Sequence, residues 1–334
     1  MKFLKVTFPT SYKDQIVTLV NEANVIDWAL DAGYGRYEQA MEIVVEAAEG
    51  QRLLDDLQSA FASCPDWRIN IMPLDASLPA PEVSKPEPEE AEEAEKKKAK
   101  GNNGALREEL VQKVSKDSKL DINFVVLTVL SAIVATIGLN SDSVTIVIAA
   151  MVIAPLLGPL LAFALGTSLG DTALMRQAAK TGLIGFIIGF GTAILIANFI
   201  PLNLESKELL DRTTIGPAIV ILALASGAAA ALSLTTGLSS ALVGVMVAVA
   251  LLPPSAASAL FLAAGEYEKS QKAAILLGLN VVSVLLAAQL IFAWKGIRPR
   301  IWSERARAAK AWKINIALWS CVLAALLFFG MRYV

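Results

Sequence analysis

A chain of 334 residues that is 55% hydrophobic, with a mean hydropathy of +0.56, is too apolar for an ordinary soluble domain. Its formal charge of −2 is nearly balanced, and the charged residues crowd into the first 121 positions and into short loops, so no basic face for nucleic acid emerges. The absence of histidine removes imidazole relays, His-metal sites and His-based triads, and Cys64 and Cys321, one in a polar region and one in an apolar run, make no disulfide framework.

Residues 1–78 read as a small soluble domain, and MKFLKVTFPT lacks the apolar core of a signal peptide. KFLKVTF alternates as a strand does, and Pro9, Thr10 and Ser11 punctuate it. Ile16, Leu19 and Val20 have helical spacing, VIDWALDA is a second strand, and Gly33 and Gly35 turn the chain into a third, QAMEIVVEA. Leu53, Leu54, Leu57 and Phe61 share one face of a second helix, and WRINIMPL closes the domain as a fourth strand. The order β-α-β-β-α-β is the split βαβ of ferredoxin-like domains. Such a domain suits packing, assembly or regulation, and it contains no phosphate loop or metal cluster.

Residues 79–104 hold prolines, an acidic run and a lysine run, a composition that cannot bury a core and is expected to be a disordered linker. Leu106, Leu110, Val111 and Val114 place an amphipathic interfacial helix over 105–121. The transmembrane bundle, 122–334, follows, with seven spans near 122–139, 143–169, 176–199, 214–234, 241–264, 272–294 and 314–333. Lys295, Arg298, Arg300, Arg305, Arg307, Lys310 and Lys313 put loop 295–313 on the cytoplasmic side. Counting back makes the N-terminal domain cytoplasmic and the protein a multi-pass component of the cell's inner (plasma) membrane.

Two stretches stand out. Thr136–Gly166 and Thr235–Gly265 align without a gap at a shift of 99, with Thr136/Thr235, Gly138/Gly237, Leu139/Leu238, Ser141/Ser240, Pro155/Pro254 and Gly166/Gly265 among the matches. RQAAKTGLIGF from Arg176 resembles QKAAILLGLNV from Gln271 at a shift of 95. Spans one to three and four to six therefore form two units, and three being odd, the second enters from the opposite side as an inverted repeat. A proline within a helix removes a hydrogen bond and clashes with the preceding turn, so spans two and five are expected to be proline-broken.

The run GLNSDSVTIVIAAMVIAPLLGPLLAFALGTSLGD, preceded by LREELVQKVSKDSKLD and followed later by ALLPPSAASALF, resembles a family of prokaryotic membrane proteins known as domain of unknown function 389. That resemblance implies a cytoplasmic ferredoxin-like domain followed by a transmembrane bundle. It implies no activity.

The spans carry almost no charge at mid-depth, since Asp142, Asp171, Lys180 and Arg332 lie near ends. What remains are half-helix N-termini at Leu156–Gly158 and Ser255–Ala257, whose unpaired N–H groups suit an anion or a polar solute. The candidate pathway residues are Pro155, Gly158, Pro159, Pro253, Pro254, Ser255, Ser258, Asn280 and Ser283. Asn280 is equally readable as interhelical glue, and the two serines as back-bonded to their own helix. The expectation is a transporter or channel for a small anion or polar solute, in contact with membrane lipid, assembled as a homo-oligomer, with no cofactor, metal or catalytic residue. The alternative is a membrane-anchored sensor or scaffold whose N-terminal domain binds a metabolite or partner.

Overall fold

Lys5 and Glu42 face each other across two antiparallel strands, their side chains 2.8 Å apart. The same register turns Leu4, Val6 and Phe8 to the opposite face with Met41, Ile43 and Val45, where all six are fully buried. The computed structural model describes residues 1–33, 38–74, 106–236, 240–297 and 302–332. The linker expected at 79–104 and the turn at Gly35 lie outside them. The chain divides into two units, 1–110 and 111–334.

The first unit runs β1 (Lys2–Phe8), α1 (Lys13–Glu22), β2 (Asp27–Ala32), β3 (Gln39–Val45), α2 (Ala47–Ala60) and β4 (Arg68–Pro73). Its sheet has the order β2-β3-β1-β4, antiparallel throughout, which is the split βαβ arrangement. Ile16 and Val20 of α1 and Leu53, Leu54 and Leu57 of α2 close the core, and Phe61 stacks on Trp67 at 5.2 Å.

Helix α3 (Arg107–Asp117) begins in this unit. Glu109 receives Lys2 at 2.6 Å, Arg107 reaches Asp55 at 2.8 Å and also contacts Glu108, and the Arg107 N–H donates to Gln51 Oε1 at 2.8 Å. Burial alone would lower the Arg107 pKa, but Glu108 and Asp55 reverse that and raise it. Of the helix's apolar stripe, Leu106 joins the sheet core, and Leu110 and Val114 are buried.

The second unit is helical. α4 (Ile122–Asn140), α5 (Val144–Ile153), α6 (Leu157–Leu169), α7 (Thr172–Ala197), the short α8 (Lys207–Leu210), α9 (Pro217–Thr236), α10 (Ser240–Ala263), α11 (Tyr267–Trp294) and α12 (Trp302–Arg332) follow in order. The starts have local causes. Asp121 caps α4 by accepting the Phe124 N–H at 2.7 Å, and Asp171 caps α7 by accepting those of Ala173 and Leu174 at 3.0 Å. Gly170 ends α6 at φ 69°, a left-handed value that glycine reaches without strain.

Among the described residues, five helices are long and apolar enough to cross a membrane, and the bent pair α5–α6 makes a sixth when taken as one span. They expose Leu183, Ile187, Ile221 and Phe328, as lipid-facing helices do. Packing between helices is reciprocal: α10 lies on α7, α6 lies on α11, and α4 pairs with α7 as α9 pairs with α11.

Candidate functional site

The chain breaks where the sequence places its first interruption. α5 ends at Ile153, Ala154 is extended at φ −65° and ψ 122°, and α6 leaves from Leu157 at a bend of 52°. Pro155 has no N–H for the Met151 carbonyl and biases Ala154 away from helix, and Pro159 has none for the Pro155 carbonyl. The carbonyl of Asp117, at the end of α3, occupies the space a Cβ on Gly158 would need, so no side chain fits there. A cavity of about 450 Å³ lies at this break. Asn123, Phe124 and Leu127 of α4, Met151 of α5, and Pro155 and Gly158 line one side of it, and Ala230, Ser233 and Leu234 of α9 another. Lys113, Lys116, Lys119, Asp117 and Asp121 bring charge to it.

The second expected break does not occur. α10 runs unbroken from Ser240 to Ala263 with Pro253 and Pro254 inside it, so Ser255–Ala257 is mid-helix and offers no half-helix N-terminus. The reason lies on another helix. Pro254 leaves the Ala250 carbonyl without its intrahelical donor, and Asn280 Nδ2 of α11 donates to that carbonyl at 2.7 Å. At the shift of 95, the position matching Asn280 is Gly185, which has no side chain to donate. Phe124 packs onto it instead, 2.9 Å from where a Cβ would stand. One stretch holds a replacement donor and its helix is unbroken; the other lacks it and bends.

A second cavity, about 220 Å³, surrounds this repaired turn. Leu222, Ala223 and Ser226 of α9, Ala250 and Pro254 of α10, and Asn280 of α11 line it, with Asp211 and Arg212 from the turn before α9. Six of these lie 99 residues beyond residues lining the first cavity: Lys113/Arg212, Asn123/Leu222, Phe124/Ala223, Leu127/Ser226, Met151/Ala250 and Pro155/Pro254. The units also touch internally at matched places. Gly189 meets Thr128, and Gly227, 99 beyond Thr128, meets Val284, 95 beyond Gly189.

The two cavities lie toward opposite ends of α9. Ile219, Leu222, Ala223 and Ser226 line one, and Ala230, Ser233 and Leu234 the other, steps of three and four residues that keep them on one helical face. Between them stands a single turn, Gly227–Ala229, where a Cβ on Gly227 would come within 2.7 Å of the Val284 backbone. The far end of α4 lies beside the loop that leads to the second cavity. Asn140 Nδ2 donates to the Pro201 carbonyl at 2.9 Å, and Ser206 Oγ donates to the Leu139 carbonyl at 2.5 Å.

Of the candidate residues, Pro155 and Gly158 line the first cavity, and Pro254 and Asn280 the second. Pro159 is buried and packs toward Gly182. Pro253 and Ser255 are buried inside α10. Ser258 is engaged across the helix interface: its Oγ donates to the Ser270 carbonyl at 3.0 Å, and Ser270 Oγ returns a bond to the Ser258 carbonyl at 2.8 Å. Ser283 Oγ is fully buried, with no hydrogen-bond partner among the described residues. The sequence reading passed over Ala223, Ser226 and Arg212, which become legible only when the shift of 99 is carried back from the second spans into the first.

The end carboxylates have structural duties. Asp171 is the cap of α7. Asp142, between α4 and α5, sits at φ 53° and accepts the Glu208 N–H at 2.8 Å and the Ser206 hydroxyl at 3.0 Å. The Glu208 N–H, the largest influence, outweighs the opposing effect of burial, and the Ser206 hydroxyl and Lys207 add to it, so the Asp142 pKa is held below the usual aspartate value.

A helical bundle with apolar, outward-facing helices of spanning length, carrying a small antiparallel sheet domain, defines a multi-pass membrane protein by length and composition. Within that class, residues 151–286 match the family described as Domain of unknown function (DUF389). An uncharacterized protein of Methanocaldococcus jannaschii is 32% identical over 286 residues, spanning 86% of this chain and 85% of that one. The chain belongs to this family. No solved structure matches it.

Proposed function

We propose that this protein is a transporter or channel for a small anion or polar solute, and that the path follows one face of α9. In this reading seven spans cross the membrane, the first six form a 3+3 inverted repeat, and the cytoplasmic N-terminal domain regulates or oligomerises the bundle. One observation carries it. Two cavities built from matching positions of the two units approach each other from opposite ends of α9, separated by one turn, about 6 Å of helix. An inverted repeat would produce that arrangement, because the same pocket is then formed once from each side of the membrane. A purely anchoring bundle has no need of it.

The test uses the full chain in tight liposomes, in a background of Cys64→Ser and Cys321→Ser. Single cysteines at Ser226 and Ala230 are treated with a membrane-impermeant thiol reagent from either side, and flux of a panel of small solutes is followed. Each cysteine should react from its own side, and each reaction should cut flux at least fivefold. Liposomes as tight as empty ones across the panel, or both cysteines reacting from the same side, would overturn the proposal.

A further inference from the structure

We infer that the cavity at Arg212 and Asn280 binds a small polar solute of zero net charge that carries both a hydrogen-bond acceptor and a donor, a class that includes amides, polyols and amino-acid zwitterions. The Asn280 amide cannot be turned around, because its nitrogen is committed to the Ala250 carbonyl at 2.7 Å. That leaves Oδ1 as a pure acceptor, on a residue 3% exposed and with no donor in reach among the described residues. Arg212 presents the opposite need. Its Nη2 is held by Glu208 at 3.0 Å, while its Nε–H is buried and has no partner among the described residues. Ser226, also buried on this wall, can donate or accept. A buried polar atom left unpaired is costly, so two of them on residues that line one small cavity describe a site awaiting its complement.

Charge decides against an anion here. Glu208 already neutralises Arg212, and Asp211 on the same lining is a further negative group. An anion would bring a second uncompensated negative charge into an apolar bundle. A neutral molecule satisfies Nε–H with an acceptor and Oδ1 with a donor at no such cost. At about 220 Å³ the cavity is smaller than the ~300–1,000 Å³ pockets of drug-sized ligands, so the solute has only a few heavy atoms. The matched first cavity cannot offer this pairing, because Phe124 and Gly185 stand where Ala223 and Asn280 do here. That the occupant is cargo rests on the transport reading; that it binds does not.

The experiment places a cysteine at Ala223, on the cavity wall, in the full chain with Cys64→Ser and Cys321→Ser, purified in detergent. Its alkylation rate is measured against increasing urea, glycerol or glycine, and against acetate and nitrate as anions of similar size. At least one neutral probe should slow alkylation saturably, with both anions at least tenfold less effective. Arg212→Leu, which leaves the Asn280–Ala250 bond intact, should raise the half-protecting concentration about tenfold. Asn280→Leu should abolish protection. Protection by acetate or nitrate at equal or lower concentration, no protection by any neutral probe, or protection indifferent to Arg212→Leu overturns the inference. Protection without flux would sink the transport reading and leave this site standing; flux without protection would do the reverse.

Discussion

Asp142 stands at a backbone conformation few residues tolerate, and its side chain explains why an aspartate is there. At φ 53° a β-branched or bulky residue would be strained, whereas Asp and Asn accept the left-handed region. Its carboxylate then ties the α4–α5 turn to the start of α8 through the Glu208 N–H and the Ser206 hydroxyl, while Ser206 itself caps α8 by accepting the Leu209 N–H at 3.3 Å. Because the folded-state pKa is depressed, its contribution to stability is present above the ordinary aspartate value, near 3.9. It is lost as pH falls through the lower folded-state value. Asp142→Asn keeps the left-handed backbone and removes the charge. The melting temperature of the wild type should exceed that of the variant at pH 6, and the gap should close as pH is taken down through 4 and below. A gap that persists unchanged at acid pH would mean the turn is held by backbone shape and not by the carboxylate.

The helices differ in how much of their course was written locally. The four strands and two helices of the sheet domain emerge from alternation and from Leu53, Leu54, Leu57 and Phe61 because each face is buried as its own period dictates. The break at Pro155 was equally legible, since proline acts on its own helix. The continuity of α10 was not, because the donor for the Ala250 carbonyl comes from Asn280, on a helix brought alongside only by folding. The α9 face escaped notice for a related reason: nothing in the sequence sets Ala223, Ser226 and Ala230 apart from the small residues around them, and only the cavities on either side of Gly227 give them a meaning. Removing the donor tests this account at the level of the element. Asn280→Leu leaves the Ala250 carbonyl unpaired, at about 1–3 kcal/mol, and α10 should relieve it by bending at Pro254 as its counterpart bends at Pro155. Hydrogen–deuterium exchange over residues 251–259 should then rise at least tenfold, while exchange in α4 stays as it was. Unchanged protection across Pro254 would show that packing, not Asn280, keeps the helix straight.

Taken as a molecule, the bundle holds the two stretches of the proposed repeat in two different shapes, one bent, with Phe124 packed on Gly185, and one an unbroken helix beside Asn280. On the proposed transport reading, a path that opens alternately to either side uses that difference, the bent stretch and the unbroken one exchanging roles during a cycle. The difference is also small enough to transplant. Phe124→Ala with Gly185→Asn gives the first unit the pair that the second carries at Ala223 and Asn280. The smaller side chain at 124 makes the room that an asparagine at 185 requires, and its amide can then reach the Met151 carbonyl orphaned by Pro155. The double variant should straighten the α5–α6 bend, read as lowered hydrogen exchange across 153–158. Solute flux should fall at least tenfold, because both units now favour one shape, and Ala223→Cys should remain protectable in the second cavity. Gly185→Asn alone should be worse tolerated than the pair, since an asparagine at 185 meets Phe124, whose ring lies 2.9 Å from the nearest added atom. Full flux through a double variant with a straightened bend would mean that the asymmetry between the units is incidental to passage, and the path would have to be sought away from the face of α9.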